Sequence, residues 1–164
     1  SSARAGGTAA ASSETSLPRL SPKPPGSRKS RCMSMITSAV VARSIASGPG
    51  HDIVADLAPA PGEPVVDKPG KGAFYATDLA EILAARSVAT LLVCGVTTEV
   101  CVHTTVREAN DRGYRCLVVS DACGSYIPAF HAAGLAMIVA QGSIFGWVSD
   151  SHRVVAAIAA GRTA

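Results

Sequence analysis

The chain has 164 residues, 48% of them hydrophobic and only 16% charged, with a formal net charge of +3. That length suits one buried core and is short for two domains. No run approaches the roughly 18–20 apolar residues of a membrane span, so no membrane partner is expected. The positive charge is concentrated: residues 1–50 hold seven basic side chains against Glu14 alone, and residues 51–164 hold eight basic and eleven acidic ones. The basic balance therefore belongs to one segment and not to a face of a fold, and no nucleic acid is expected as partner.

No charged-then-apolar leader opens the chain, which leaves a cytoplasmic protein as the expectation. The five cysteines (Cys32, Cys94, Cys101, Cys116 and Cys123) are odd in number and form no CxxC pair. Reduced thiols fit that pattern better than a disulfide framework or a zinc knuckle.

In chain order, residues 1–31 are rich in Ser, Ala, Pro, Gly and basic residues and show no apolar period. Such a segment buries too little surface to offset its ordering entropy, so residues 1–45 are expected to be a disordered or non-native stretch ahead of a domain at 46–164. The basic run SRKSR (27–31) lacks interleaved aromatics and is weak evidence for RNA binding. MSMITSAVVARSIAS (33–47) reads as a short helix or strand.

PVVDK (64–68) reads as a buried strand, and TDLAEILAAR (77–86) as an amphipathic helix capped by Thr77, with Leu79, Ile82 and Leu83 on one face. TLLVC (90–94) is an apolar strand closed by Gly95, and EVCVHTTVREANDR (99–112) is a helix stopped by Gly113. RCLVVSD (115–121) is a second buried strand with Asp121 just past its end. AFHAAGLAMIVA (129–140) reads as a helix, GSIFGWV (142–148) as a strand, and DSHRVVAAIAA (150–160) as a last helix with Asp150 near its cap. Strands alternating with such helices imply βαβ units and a mostly parallel sheet, an α/β/α layering. Ligands of such sheets bind beyond the carboxyl ends of the strands.

That edge is where GVTTEVC (95–101) falls. A cysteine in the first turn of a helix feels the positive end of the helix dipole, which favours thiolate. The unpaired N–H groups of that turn can donate to an oxyanion. A cysteine near a helix start is also often structural, so the loop alone leaves both roles open. Lys68 abuts the end of PVVDK and would add a cation to the same edge. Lys71 competes with it but sits among glycines in PGKG. His103 lies two residues past Cys101, on another side of the helix, and is not expected to act as its base. Cys94, Cys116 and Cys123 read as small core side chains. Phe74 and Tyr126 fit either a pocket wall or the core.

DKPGKGAFYATDL (67–79) followed by LLVCGVTTEVCVHTTVREANDRGYRCLVVSDACGSY (91–126) resembles the isochorismatase-like cysteine hydrolases, and most closely the branch of biuret and related ureido-compound amidases. The resemblance covers about residues 51–160. It implies a three-layer α/β fold, an Asp–Lys–Cys triad and attack of the cysteine on an amide carbonyl through a thioester. It matches Cys101 to the nucleophile and Lys68 to the triad lysine. Val96–Thr97 matches a peptide bond that is cis in the family, aiming the Thr97 N–H at the oxyanion beside that of Cys101. Gln141 resembles a glutamine that contacts the substrate carbonyl, though it could equally be a helix-end residue facing water. Asp121 matches a segment that mainly shapes the fold.

The resemblance also exposes a gap. The triad aspartate should end an earlier strand, and none of Asp52, Asp56 or Asp67 ends a buried strand ahead of a loop and helix. The serine start and the change of texture near Gly50 suggest a truncated or wrongly framed product of a longer gene, with impaired hydrolysis. No cofactor is implied, and His51 with Asp52 alone does not make a metal site. The expected substrate is a small amide or ureido compound, and the full-length form is expected to be a homo-oligomer. Two other readings stand beside this one: a catalytically incomplete binding or oligomerisation module, and a thiol redox protein, which lacks a resolving cysteine near Cys101.

Overall fold

The computed structural model describes residues 40–44, 53 and 55–161. The basic run, Cys32, His51, Asp52 and most of the stretch assigned to a tail lie outside those residues.

Strand β1 (Val41–Ser44) pairs in parallel with β2 (Val65–Lys68), Val41 opposite Val65 and Ser44 opposite Lys68. β1 falls within residues 33–47, which read from sequence as a short helix or strand, and lies ahead of the boundary expected at residue 46. Burial alternates along β2: Val65 and Asp67 are exposed, whereas Val66 and Lys68 turn inward. Period-two alternation thus puts a lysine on the core face, next to the loop that follows. Asp67, on the outer face, takes a hydrogen bond from Arg43 Nε at 2.6 Å across the pair.

Helix α1 (Leu79–Ala85) buries Leu79 and Leu83, with Ile82 half-buried beside them. Its cap is Asp78, not Thr77 as expected, and Asp78 makes no side-chain cap bond. The Thr77 hydroxyl donates to the Ala73 carbonyl at 2.6 Å, and its oxygen accepts from the Leu79 N–H at 3.4 Å, so Thr77 still makes the side-chain bond to the first turn.

The second sheet is β3 (Thr90–Val96), β4 (Arg115–Gly124) and β5 (Trp147–Ser149), all parallel, in the order β3-β4-β5. A π-helical turn (Thr98–Val102) runs directly into α2 (His103–Asp111), which returns the chain to β4. Helix α3 (Pro128–Ser143) leads to β5, and α4 (Ser151–Gly161) follows it. The parallel α/β architecture agrees with the sequence pattern. Val102, Val106, Ala109, Cys116, Val118 and Ile138 form the core between helices and strands.

Four boundaries differ from expectation. β3 continues through Gly95 to Val96, with a register shift between Val93 and Gly95, and Cys94 is exposed there and not a core residue. Asp121 lies within β4, not past its end. Its carboxylate takes bonds from the Ser151 N–H at 2.8 Å and the Ser151 hydroxyl at 2.6 Å, which fastens the start of α4. Helix α3 breaks at Ala140–Gly142, where Gln141 and Gly142 have φ of 52° and 77°. That left-handed break delays β5 to Trp147, so the expected strand over 142–148 is mostly a turn. Gly146, with φ 140°, closes that turn so tightly that a Cβ would overlap the Cys116 carbonyl oxygen.

Candidate active site

Two strand ends and one helix start build the site. Lys68 closes β2 and is only 5% exposed. Its ammonium donates to the Gly70 carbonyl at 3.2 Å and reaches Cys101 Sγ at 3.7 Å. Cys101 is half-buried in the π-helical turn after β3. The structure thus brings together the two side chains the sequence singled out, across 33 residues of chain. Lys71 is exposed.

The Val96–Thr97 peptide bond is cis. The Thr97 carbonyl accepts from the Val100 and Val102 N–H groups at 3.2 Å each, so Thr97 starts the helical hydrogen-bond pattern. Cys101 is the fourth residue of the segment Thr98–Val102, among positions whose N–H groups often lack an intrahelical partner.

Two hydroxyls that the sequence reading passed over hold this region. Thr105, one turn after Cys101, donates to the Cys101 carbonyl at 2.7 Å. It also accepts from the Ala73 N–H at 3.0 Å, which pins the PGKGAF loop to the helix that follows Cys101. Thr98 is fully buried and donates to the Gly124 carbonyl at 3.1 Å. The only sequence signal was a threonine four residues after the cysteine, the spacing at which a hydroxyl reaches back to a helical carbonyl.

Other candidates fall elsewhere. Phe74 is 4% exposed and stacks on Tyr114 with centroids 5.9 Å apart, under the Arg112 guanidinium; it packs in the core rather than walling an open pocket. Tyr126 is 93% exposed and borders a cleft of about 210 Å³ with Val96, Thr97, Gly124 and Ser125. A second cleft, about 310 Å³, lies between α2 and α3 beside Glu99, His103, Phe130 and Met137. Neither cleft is lined by Cys101 or Lys68. Gln141 is exposed at the break in α3 and contacts neither of them.

His103 is buried, and its partners among the described residues do not include Cys101 or Lys68. It accepts from Arg107 Nε at 2.9 Å through Nδ1 and sets its ring edge toward Phe145. Burial first, then the Arg107 charge, hold its pKa below the ordinary histidine range, against an opposing pull from the Gly134 backbone. Burial pushes the Cys116 thiol up to about 11, and the Cys123 thiol is raised by burial as well. Both are therefore poor nucleophiles.

Of the aspartates weighed for the triad, Asp67 engages Arg43 and Asp56 is exposed in a 3-10 turn. Among the described residues, the hydrogen bonds of Cys101 run to Lys68 and Thr105. No group of three or more His, Cys, Asp or Glu side chains suited to a metal ion occurs there either.

Comparison with known proteins bears on the family and the fold. The isochorismatase domain model matches residues 30–153. A ureidoacrylate amidohydrolase, RutB, of Methylobacterium radiotolerans is 42% identical over 101 residues, covering 61% of this chain and 38% of that protein. The RutB of Azorhizobium caulinodans is 35% identical over 111 residues, 66% of this chain and 48% of that one. The matched part thus spans less than half the length of these relatives. An isochorismatase-like hydrolase from Alkaliphilus metalliredigens superposes with a TM-score of 0.67 at 25% identity, covering 73% of this chain and 72% of the other. A cysteine hydrolase from Pseudomonas syringae pv. phaseolicola gives 0.69 at 25% identity, covering 76% and 73%. With the family model matching three-quarters of its residues, the chain belongs to the isochorismatase family.

Proposed function

We propose that this chain carries the nucleophile and cation of a cysteine amidohydrolase acting on a C–N bond of a small ureido or amide compound. The observation that supports it most is the buried Lys68 ammonium 3.7 Å from Cys101 Sγ. A buried ammonium is costly unless opposite charge or hydrogen bonds compensate it. Such a cation beside Cys101 Sγ favours the thiolate, the reactive form.

In this reading Cys101 Sγ attacks the carbonyl carbon, forming an S–C bond and pushing the electron pair onto oxygen. The backbone N–H groups of Thr97 and Cys101 receive that oxyanion. Collapse breaks the C–N bond, the amine leaves with a proton, and water then hydrolyses the thioester. Gln141 is proposed to contact the substrate carbonyl once substrate is bound. RutB relatives that act on a ureido compound support the substrate class. No carboxylate contacts Cys101 among the described residues, and general acid–base help of this kind is commonly worth about 10²–10⁴-fold. Turnover by this chain is therefore proposed to be slow, with acylation favoured over complete hydrolysis.

The test is ammonia release from ureidoacrylate, biuret and N-carbamoyl amides by the purified chain and by Cys101→Ala. Release above background that vanishes in the variant supports the proposal; equal release by both refutes it.

Among the described residues, Phe130, Trp147 and Tyr126 are exposed at 51%, 53% and 93%. That apolar surface supports the second reading, association with further copies as a homo-oligomer. Sedimentation of the purified chain tests the association, and the ammonia assay tests catalysis independently of it.

A further inference from the structure

We infer that Thr98 and His131 are positioning residues for the oxyanion-binding turn, an inference that rests on the amidohydrolase reading above. Thr98 follows Thr97 directly and its side chain is fully buried. Its hydroxyl donates to the Gly124 carbonyl at 3.1 Å, and a carbonyl can only accept, so the single hydroxyl proton is spent there. Thr98 Oγ1 also lies 2.8 Å from His131 Nδ1. With its proton committed, the oxygen must accept in that contact, which places a proton on Nδ1 of His131. One hydroxyl therefore joins the end of β4, the first turn of α3 and the start of the nucleophile's helix.

The backbone supports the same conclusion. At Gly134, one turn further along α3, an added Cβ would come 3.3 Å from Thr98 Cγ2 and 3.6 Å from Glu99 Cα. Helix α3 therefore packs closely on the turn, and a side chain at Gly134 would need Thr98 to give by a few tenths of an ångström. A second tie runs parallel: Ser125 Oγ donates to Glu99 Oε1 at 2.9 Å. The turn from Thr97 to Cys101 is thus held on its inner side by groups that touch no substrate. Neither Thr98 nor His131 contacts Sγ of Cys101, so their effect on chemistry runs through the orientation of backbone donors. Oxyanion stabilisation depends steeply on that orientation.

Two reactions of Cys101 separate orientation from reactivity of the thiol. Acylation by p-nitrophenyl acetate forms an S–C bond and breaks the ester C–O bond; p-nitrophenolate leaves with the electron pair and buffer takes the thiol proton. That path passes through an oxyanion. Alkylation by iodoacetamide forms an S–C bond and expels iodide with no oxyanion at all. Both are followed on the Cys101 peptide by mass spectrometry of the full chain.

Thr98→Val is expected to slow acylation about tenfold or more while alkylation stays within about twofold, since misaligning one oxyanion donor costs up to about 10²–10³-fold. Thr98→Ser, which keeps the hydroxyl, is expected to restore acylation. His131→Asn keeps a donor near the Nδ1 position and is expected to exceed His131→Ala in acylation. Equal acylation in Thr98→Val and the unsubstituted chain overturns the inference, as does a parallel loss of both reactions, which marks a merely structural role. No acylation of Cys101 in the unsubstituted chain overturns the amidohydrolase reading and this inference with it.

Discussion

Replacing Lys68 by methionine keeps most of the side chain's length and removes its charge. The Nζ–Sγ separation is 3.7 Å, and Lys68 is nearly fully buried while Cys101 is half-buried. Unit charges at that distance attract by about 1 kcal/mol in bulk water and about 4 kcal/mol at an effective dielectric of 20. The half-open thiol moves the value toward the lower end, because water screens that partner. Loss of about 1–2 kcal/mol of that attraction corresponds to roughly five- to thirtyfold slower alkylation of Cys101. The assay is the pseudo-first-order alkylation of Cys101 by iodoacetamide at pH 7.5 and low salt, with circular dichroism as a check on folding. Lys68→Arg, which keeps a cation, is expected to lie between the two. Alkylation of a folded Lys68→Met chain within a factor of two of the original would refute the charge pairing. Raising the salt from 50 mM to 1 M is expected to narrow the difference only modestly, since the ammonium is shielded from solvent.

Acid should weaken the fold through His103. Its pKa is lowered in the folded chain, by burial first and then by Arg107, so folding favours the neutral ring. That contribution is complete above the unfolded value of about 6.5 and is lost as pH falls through the lower folded value. Urea midpoints between pH 7.5 and 5 should fall more steeply for the original chain than for His103→Gln; parallel curves would contradict this. Gly146→Ala forces a side chain into the Cys116 carbonyl at a positive φ, and a cost of at least about 2 kcal/mol is expected by urea unfolding. Asp121→Ala removes both ties to Ser151 and should speed hydrogen exchange at the start of α4, with little change elsewhere. Cys116, at about 11 and 1% exposed, should resist alkylation at pH 8 until the chain is denatured.

The alternation of strands and helices from Val65 to Gly161 was legible because each element carries a strong local pattern. TLLVC and RCLVVSD read as strands through continuous apolar residues, and Gly113 marked its helix end through a positive φ of 89°. Lys68 and Cys101 could be matched because each lies at or just past the carboxyl end of a strand and because the family resemblance pairs them, although the structure puts the two strands in separate sheets.

What was hidden depends on partners distant in sequence. Thr77 makes the bond to the Leu79 N–H that its position suggested, but its second tie, to the Ala73 carbonyl, was not legible. Cys94 looks like a core residue, but the register shift beside Gly95 leaves it exposed. The tie of Thr98 to Gly124 and His131 spans 26 and 33 residues and leaves no periodic trace. The break at Gln141 needs a non-glycine residue in the left-handed region, a conformation that sequence disfavours and tertiary packing imposes. Phe74 fitted either a pocket wall or the core on sequence alone, and only the stacking of its ring on Tyr114 places it in the core.

The account turns on whether Cys101 becomes acylated by a C–N substrate. Mixing the full chain with a ureido compound, quenching in acid and mapping peptides by mass spectrometry answers that directly. The account predicts an acyl mass on the Cys101 peptide alone, decaying with time and much reduced in Lys68→Met. No adduct on Cys101 with any amide or ureido compound, in a chain whose Cys101 still alkylates readily, would contradict it.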